Sequence, residues 1–490
     1  MNRRMILRTL GNILVFEGII LVLPLLVSLI YKENKAIYFL ITIVIALAIG
    51  GALSKLKTKD KRIYAKEGFI IVALSWIVVS LIGALPFYIS REIPSFIDAF
   101  FETVSGFTTT GSSILNDIES LSKGMLFWRC FTHWIGGMGV LVFVLAFLPQ
   151  SEGQNMFLMK AEVPGPVVGK LVSKVKMTAR ILYAIYAALT LLEIVFLLIG
   201  DMPLYDSIVH AFSTAGTGGY SIKNSSIAYY DSYYIDIVIT IFMLLFGVNF
   251  NLYYLLLLKD IKQILKSEEL KCYILIVFTF TAIITINTLG VYGSVVESFR
   301  YSFFQVATII TTTGFITTDF NLWPALSQIL LLLLMVIGAC AGSTGGGMKI
   351  SRVMILIKSA KSSIKKMISP RSVTTIKMEG KVVDKQVLDF SYSYFVVYAL
   401  ILLGSMLLLS FENLDMVTII TAPLTCLGNV GPGFGEVVGP VGNFSSLSNF
   451  SKIILSFDML AGRLELFPMI MLCYSFKEYL VASKAKIFKR

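Results

Sequence analysis

Long apolar stretches follow one another along almost the whole chain, and they constrain its fold more than any other feature. Crossing roughly 30 Å of hydrocarbon as a helix takes about 20 residues. Ten stretches come close to that length: 10–31, 36–53, 69–90, 125–149, 179–200, 234–258, 273–294, 326–347, 391–411 and 453–476. Only 15% of the 490 residues are charged, against about 25% in an ordinary soluble domain. The sequence therefore predicts an all-α polytopic membrane protein.

The basic residues indicate how the chain is oriented in the lipid bilayer. With the N-terminus in the cytoplasm, 33 of the 42 Lys and Arg residues fall on the inner side and 7 on the outer side. Such an asymmetry is typical of the positive-inside rule. It also accounts for the net charge of +12 without a nucleic-acid partner. We expect a multi-pass protein of the cytoplasmic membrane with both termini in the cytoplasm.

Residues that carry most enzyme and metal chemistry are scarce in this chain. The five cysteines lie far apart without a CxxC spacing, and the two histidines are His133 and His210. Neither a disulfide framework nor a zinc site is expected from such a pattern. A membrane-embedded enzyme would need clustered nucleophiles, acids or metal ligands at membrane depth. We therefore expect no enzyme and no cofactor in this chain.

A fourfold repeat is visible in four shorter apolar segments. They lie at 95–107, 203–215, 298–310 and 415–427, and all are too short to cross the bilayer. A glycine- or threonine-rich stretch follows each of them, and the four stretches align on one glycine each: Gly111, Gly219, Gly314 and Gly431. Six positions earlier stands a hydroxyl residue: Ser105, Ser213, Thr308 or Thr425. In the fourth stretch Gly433 would also serve as the anchor.

This repeat predicts the domain organisation. We expect an N-terminal transmembrane helix pair at 1–60, followed by four pseudo-repeats of helix, pore loop and helix around a central pore. Their predicted ranges are 61–150, 151–260, 261–360 and 361–490. Since all four loops lie on the same side, a solute carrier with an inverted twofold repeat is the weaker alternative.

The repeated stretches suit the handling of a monovalent cation. A potassium ion that enters a pore exchanges its hydration shell for protein oxygens, which rings of backbone carbonyls supply. Glycine reaches the required backbone conformations without steric cost, and the C-terminal end of each half-helix favours a cation. Helix packing by glycine is the alternative reading. The predicted selectivity filter consists of Thr109, Thr110, Gly111, Thr217, Gly218, Gly219, Thr312, Thr313, Gly314, Asn429, Val430 and Gly431.

Further segments complete a family resemblance that spans nearly the whole chain. They are THWIGGMGVLVF (132–143), AEVPGP (161–166), NFNLYY (249–254), GACAGSTGGGMK (338–349) and AGRLELFP (461–468). With the four loops, they resemble the Trk/Ktr/HKT superfamily of potassium transporters, and within it the TrkH-type membrane subunit. The resemblance implies a single-chain pore with a degenerate filter that assembles as a homodimer. Some plant members that favour sodium carry serine in place of the first filter glycine, so Gly111 favours potassium.

A glycine run interrupts the eighth apolar stretch. The four glycines between 342 and 347 each disfavour a helix by roughly 1 kcal/mol, and irregular backbone at membrane depth is tolerated where it lines a cavity. The resemblance implies that this run is an intramembrane gate loop in a broken gate helix of the third repeat. The alternative is the start of a disordered inner loop. The predicted gate residues are Gly342, Ser343, Thr344, Gly345, Gly346, Gly347 and Arg463.

Arg463 stands near the middle of the last apolar stretch. An arginine at the bilayer centre costs roughly 2.5–3.5 kcal/mol, so it is expected to face protein or water. The resemblance implies that it projects into the pore as a positive barrier to cations. The alternative is an ion pair with Asp458, with Glu465 or with a residue of another helix.

Other polar residues receive structural predictions. We expect His133, Trp134, Asn249 and Asn251 to hydrogen-bond and pack between helices, with ion ligation as the alternative. Asp98 and Asp206 are expected to cap the N-terminal dipoles of the half-helices in which they lie. Glu102 lies within the first half-helix and could support the filter loop, and the sequence leaves its role open.

The predicted function is potassium uptake through a channel-like pore. The inner loop 349–390 carries ten basic residues, which topology alone explains. The resemblance implies that cytoplasmic loops dock a TrkA-type nucleotide-binding regulatory subunit. This chain has no dinucleotide-binding fingerprint, so the partner would bind the nucleotide. A weakly selective potassium and sodium conductor and a cation-coupled potassium symporter stay open as alternatives.

Overall fold

The structure is a computed structural model that describes residues 2–58, 64–139, 175–372 and 374–487. Nearly all of the regular structure in these ranges is helical. Six helices there are long and apolar enough to cross a membrane, or seven if one bent pair counts as a single span. The predicted class, an all-α polytopic membrane protein, is confirmed.

The N-terminal helices form a tightly packed pair. Helix α1 (Arg3–Ile20) continues into α2 (Val22–Ile30), and α3 (Ala36–Ser54) returns beside them. A Cβ atom at Gly11 would lie only 2.6 Å from the backbone nitrogen of Ser54, and one at Gly50 would lie 2.8 Å from the Gly11 carbonyl. Small residues allow this close approach of two membrane helices.

Four successive units follow, each with an outer helix, a half-helix and an inner helix. In chain order the outer helices are α4 (Ala65–Gly83) continued by α5 (Leu85–Ile89), then α8 (Val175–Ile199), α13 (Glu268–Tyr292) and α17 (Lys385–Leu409). The half-helices are α6 (Phe96–Phe107), α9 (Leu204–Gly216), α14 (Val295–Ile310) and α18 (Met416–Gly428). The half-helices therefore lie within three residues of the predicted ranges.

The inner helices and the connections complete the described part of the chain. The inner helices are α7 (Lys123–Gly137), α10 (Tyr233–Phe246) with α11 (Phe250–Leu257), α15 (Ala325–Ile337) with α16 (Ile350–Ile368), and α19 (Asn449–Arg463) with α20 (Phe467–Ile487). Between units lie α12 (Ile261–Lys266) and an antiparallel hairpin of β1 (Lys377–Met378) and β2 (Lys381–Val382).

Three predicted crossings are not continuous helices. The stretch 234–258 bends by 90° between α10 and α11. The stretch 326–347 leaves its helix after Ile337, earlier than the expected break at Gly342. The stretch 453–476 is interrupted after Arg463, where Glu465 and Leu466 adopt left-handed φ angles of 61° and 65°. A hydropathy average over about 20 residues does not register these breaks, because each of them lies within a stretch that is apolar on average.

The broken inner helices satisfy each other's backbone groups. Phe250 donates its N–H to the Gly342 carbonyl over 3.0 Å, and Cys340 donates to the Gly247 carbonyl over 3.1 Å. Irregular backbone is stable at membrane depth only when protein groups supply its hydrogen bonds in this way. The predicted crossing 125–149 extends beyond the described residues, which continue to 139 after α7, and the segment 161–166 lies outside them.

The half-helices begin with recognisable caps. The Ser95 hydroxyl accepts a hydrogen bond from the Asp98 N–H over 3.3 Å, and the Asp415 carboxylate accepts one from the Thr418 N–H over 2.9 Å. Asp98 lies in the first turn at the start of α6, as predicted, although the N-cap residue is Ser95, and its carboxylate contacts Lys452 over 2.6 Å. Its charge lies at the favourable end of the helix dipole.

Burial is concentrated around the half-helices, and the outer helices expose apolar side chains. In α6, residues 101–107 are all buried. On the outer helices, Leu275, Ile286 and Leu400 expose 66%, 70% and 64% of their surface. Soluble proteins bury such apolar side chains, whereas a helix in contact with lipid exposes them. The polar interior lies at the centre of the four units.

Candidate functional site

The four glycine-containing stretches meet at the centre of the molecule in a closed ring. We call them ring loops 1–4 (105–112, 213–220, 308–315 and 425–432), and their anchors the ring glycines. A Cβ atom on Gly111 would overlap the Gly218 carbonyl oxygen of the second loop. In the same way Gly219 faces Thr313, Gly314 faces Val430, and Gly431 faces Thr110 at 2.6 Å. Each loop therefore contacts the next in chain order, and the fourth closes on the first.

The ring also decides the register of the fourth loop. Gly431 contacts Thr110 and Gly111 of the first loop, whereas Gly433 lies against Val438 and Thr421 of its own unit. Gly431 is therefore the geometric equivalent of the other three ring glycines. No side chain fits at any of the four positions without displacing the neighbouring backbone.

All four ring loops share one backbone conformation. The ring glycines have φ angles of 83°, 74°, 85° and 102°. Two positions before them, the residues are also left-handed, with φ between 53° and 59°: Thr109, Thr217, Thr312 and Asn429. For β-branched threonine this conformation is an outlier that costs about 1–3 kcal/mol and persists only where its surroundings hold it. The strain therefore recurs at equivalent places in the ring.

A repeated hydrogen bond holds each loop to its own half-helix. The residue before each ring glycine donates its N–H to the carbonyl of the hydroxyl residue five positions earlier in the chain. The pairs are Thr110–Ser105, Gly218–Ser213, Thr313–Thr308 and Val430–Thr425, at 2.8–2.9 Å. The carbonyl oxygens of Thr110, Gly218, Thr313 and Val430 then point to the adjacent loops around one axis. Four such oxygens can replace part of the hydration shell of a monovalent cation.

A cavity opens on one side of the ring. Its volume is about 240 Å³, and all four ring glycines line it. The remaining walls come from the segments that follow the ring loops, together with Arg129 and Lys223. Lys223 lies 3.4 Å from Glu119 at the rim. The cavity connects the ring with the surface of the protein.

On the opposite side, the glycine run lies against the ring. We call residues 338–349 the glycine segment. A Cβ atom on Gly345 would lie 2.8 Å from the Thr311 carbonyl, and one on Gly346 would overlap the Gly428 carbonyl. The Gly346 N–H also donates to the Thr312 hydroxyl over 2.6 Å. The glycine segment therefore contacts the third and fourth ring loops directly, and only glycine fits beneath Gly428.

Charged residues that the sequence did not single out hold the glycine segment. The Glu269 carboxylate accepts hydrogen bonds from the backbone of Ala341 over 2.7 Å and of Ser351 over 3.1 Å. Lys349 donates to the Gly345 carbonyl. Lys349 and Arg352 were both counted with the inner loop, yet each is only 1% exposed. That assignment is wrong for these two residues, because α16 begins inside the protein.

Arg463 joins the glycine segment to the first unit. Its guanidinium donates to the Thr344 carbonyl over 2.7 Å and to the carbonyls of Gly136 and Gly137 over 2.5 and 2.6 Å. The two carboxylates considered as its partners are bonded elsewhere, Asp458 to Ser405 and Glu465 to Arg352. Arg463 is the last residue of α19, so its predicted place in the middle of a continuous helix is wrong.

Of the residues predicted to hydrogen-bond or pack between helices, His133 bonds to another helix and Asn249 packs against Gly342 of the glycine segment. His133 Nδ1 lies 2.7 Å from the Gly106 carbonyl of the first half-helix. The Asn249 side chain also accepts from the Asn251 N–H over 3.0 Å and caps its own helix, α11. In the second half-helix, Asp206 accepts a hydrogen bond from the Tyr230 hydroxyl over 2.7 Å.

Glu102 lies behind the first ring loop and bonds to the segment that follows it. Its carboxylate accepts from the Ser113 hydroxyl over 3.0 Å, from the Ile114 N–H over 2.9 Å and from Arg129 over 2.6 Å. Arg129 donates in turn to the Ser221 carbonyl of the second unit over 2.8 Å. Arg129 was missed at the sequence level, although a buried arginine in a membrane protein is itself a signal of function.

Among the described residues, no group of three or more His, Cys, Asp or Glu side chains is placed to hold a metal ion. The polar atoms that the ring loops offer are mainly backbone carbonyl and hydroxyl oxygens. This chemistry suits a transient monovalent cation better than a tightly bound divalent metal.

Comparison with known proteins places this geometry in a family. The family model TrkH, "Cation transport protein", matches residues 35–478. The Trk system potassium uptake protein TrkH of Salmonella typhimurium is 36% identical over 479 residues, covering 96% of this chain and 98% of the relative. TrkG of Escherichia coli K12 is 35% identical over 459 residues, covering 92% and 94%. The crystal structure of the potassium transporter TrkH from Vibrio parahaemolyticus superposes with a TM-score of 0.86 at 33% identity, covering 96% and 98%.

Proposed function

The chain belongs to the TrkH family of cation transport proteins, and we propose that it takes up potassium ions through a pore on the axis of the four ring loops. It is a multi-pass membrane transport protein and not an enzyme. The observation that carries the proposal is the closed ring, in which each ring glycine packs against a carbonyl of the next loop. Backbone oxygens around one axis are the ligands that a partly dehydrated potassium ion needs.

The proposed selectivity filter comprises the three residues that end at each ring glycine. In the first loop these are Thr109, Thr110 and Gly111. The other three loops contribute Thr217, Gly218 and Gly219; Thr312, Thr313 and Gly314; and Asn429, Val430 and Gly431. The shared left-handed φ angles support this assignment, because they repeat at the same two places in every loop.

We propose that the glycine segment and Arg463 form the gate. The segment packs against the side of the ring that faces away from the cavity, and the Arg463 guanidinium bonds to it at Thr344. Together they put backbone and a positive charge next to the pore axis. Movement of this segment would open the path.

Regulation and assembly are further parts of the proposal. The chain would form a homodimer in the cytoplasmic membrane with both termini in the cytoplasm, and a TrkA-type nucleotide-binding subunit would dock on its inner face. Exposed lysines on the gate side of the molecule, such as Lys361, Lys366 and Lys381, support a docking surface of positive charge. Transport that responds to a nucleotide only when the subunit is present would establish this part.

Growth rescue is the first test of the function. A bacterial strain without potassium uptake systems is expected to grow at low potassium when it carries this chain. Gly314→Val is expected to abolish the rescue, because its side chain would overlap the Val430 carbonyl. Gly404→Val is the matched control, since a Cβ there meets nothing within 4 Å. Failure of the wild-type chain, present in the membrane, to support growth would contradict the proposal.

A reversal potential distinguishes the proposed pore from the alternatives. The purified protein in liposomes, with potassium on one side and sodium on the other, is expected to give a potential close to the potassium equilibrium value. A value near zero with a robust current would indicate a weakly selective conductor. Dependence of potassium flux on a proton or sodium gradient would indicate a symporter.

A further inference from the structure

We propose that each half-helix carries one positioning side chain that holds the segment following its ring glycine. The four residues are Glu102, His210, Gln305 and Thr421. We call them the brace residues. The inference rests on the proposed function, because the property that the braces would secure is the ion selectivity of the ring.

The pattern starts from position. Glu102, His210 and Gln305 each stand nine residues before their ring glycine. Each lies on the face of its half-helix that is turned towards the segment after that glycine. All three are 0–1% exposed. A buried polar side chain is stable only when it is hydrogen-bonded, so the partners of these residues show what they hold.

The partners lie at equivalent places beyond the ring. Glu102 accepts from the Ser113 hydroxyl and the Ile114 N–H, two and three residues after Gly111. His210 Nε2 lies 2.9 Å from the Ser221 hydroxyl, two residues after Gly219. Gln305 donates to the Thr317 hydroxyl over 3.2 Å, three residues after Gly314.

The fourth unit achieves the same contact with a different residue. The residue nine positions before Gly431 is Ala422, whose side chain has no polar group. The preceding residue, Thr421, donates its hydroxyl to the Phe434 carbonyl over 2.7 Å and accepts from the Phe434 N–H over 3.1 Å. Phe434 stands three residues after Gly431, so the bond reaches the position that the third unit also holds.

The brace residues hold the downstream end of each ring loop in place. The upstream end of each loop is fixed by the N–H bond to its half-helix, but the left-handed residues and the ring glycine would relax if the downstream end were free. A brace fixes that second end to the same half-helix. The orientation of each carbonyl on the axis then depends on a side chain that never touches the ion, and this makes the braces positioning residues.

The third unit offers the cleanest test, because its brace is a neutral pair. Gln305→Met keeps the length of the side chain and removes the amide, while Thr317→Val keeps the shape of the partner and removes its hydroxyl. In cells that lack other potassium uptake systems, we expect each variant to lower the ratio of initial potassium to sodium uptake about fivefold, the effect of one lost hydrogen bond. The double variant is expected to fall no further, because both changes remove the same bond.

Two controls separate a brace from general destabilisation. Thr317→Ser retains the hydroxyl and is expected to keep the wild-type ratio. Thr281→Val removes a buried hydroxyl from the outer helix of the same unit and is expected to leave the ratio unchanged. If Gln305→Met does not reach the membrane, the Thr317→Val and Thr317→Ser pair decides alone.

The outcomes distinguish this inference from the proposed function. Wild-type ratios in both Gln305→Met and Thr317→Val would overturn the braces while leaving potassium uptake intact. An equal fall in Thr281→Val would also overturn them, because the effect would then be unspecific. Absence of potassium uptake by the wild-type chain would overturn the proposed function itself.

Discussion

At the scale of single residues, the site depends on positions where no side chain fits or where a side chain is strained. The ring glycines are the first kind, and the left-handed threonines Thr109, Thr217 and Thr312 are the second. Both kinds lie where four chain segments approach one axis. Substitutions there act on neighbouring loops rather than on the residue alone.

Gly111→Ser is expected to raise sodium permeability relative to potassium. The new side chain would overlap the Gly218 carbonyl and displace the second loop. Overpacking of this kind costs about 1–3 kcal/mol, which corresponds to a change of roughly fivefold to a hundredfold in the permeability ratio. The reversal potential in liposomes measures it. Gly290→Ser, in open space, is the matched control, and an unchanged ratio in Gly111→Ser would exclude Gly111 from the filter.

Arg463→Ala is expected to increase potassium flux in the absence of the regulatory subunit. The change removes a positive charge beside the axis and the hydrogen bond that holds the Thr344 carbonyl. Flux into liposomes that contain the purified chain alone is the measurement. Arg371→Ala, at an exposed position, is the control. Equal flux in wild type and Arg463→Ala would favour a purely structural role for the arginine.

At the scale of elements, the inner helices combine membrane-spanning length with interruptions. The interruptions lie at 247–249, 338–349 and 464–466. The first and second bond to each other through Cys340 and Gly247, and Arg463, which ends α19 just before the third, bonds to Thr344 in the second. The interrupted backbone can rearrange by exchanging a few hydrogen bonds, whereas a continuous helix would have to unwind.

Shortening the run Gly345–Gly347 is expected to raise basal flux without the regulator. One residue fewer would draw Gly346 away from the Gly428 carbonyl and the Thr312 hydroxyl, both of which it now contacts. Potassium flux through the purified chain in liposomes is the readout. Gly51→Ala, in open space in the N-terminal pair, is the control. Unaltered or lost flux in a folded deletion variant would argue against the gate.

The half-helices were predicted closely, and the glycine run marked the interruption in the third unit, but the breaks at 247–249 and 464–466 were not predicted. A half-helix is an apolar run with a polar cap and a glycine end, and all three features are local in sequence. The break at 247–249 also has a glycine, Gly247, and a polar cap, Asn249, but its stability at membrane depth comes from Gly342 and Cys340, about 90 residues further along the chain. Local patterns do not contain that information.

At the scale of the whole molecule, a buried ion pair ties the first unit to the second. Arg129 bonds Glu102 of its own unit and the Ser221 carbonyl of the next, and its guanidinium lies 3.4 Å from the centre of the Tyr220 ring. The Tyr220 hydroxyl donates to the Glu102 carbonyl over 2.8 Å. This buried charge pair therefore bridges the first and second units.

Arg129→Met is expected to lower the stability of the purified protein markedly. Removing one partner of a buried pair leaves an uncompensated charge and costs about 3–5 kcal/mol. Denaturation in detergent, followed by tryptophan fluorescence, measures the change. Lys66→Ala breaks an exposed pair, with side chains 42% and 50% accessible, and is expected to cost less than about 1 kcal/mol. Similar losses in the two variants would contradict a joining role for Arg129.

The sequence by itself determined the membrane class, the four half-helices and the glycines that form the ring. Hydropathy and the absence of a side chain are properties of single residues and short runs, so they can be read without knowing the fold. Only the tertiary structure decided that Gly431 closes the ring, that Lys349 is buried, what Arg463 bonds to, and that Glu102, His210, Gln305 and Thr421 occupy equivalent roles. The physical reason is that these facts depend on contacts made after the chain has folded. Four chemically different side chains can make the same contact, so the shared sequence position of three of them does not reveal it without the fold.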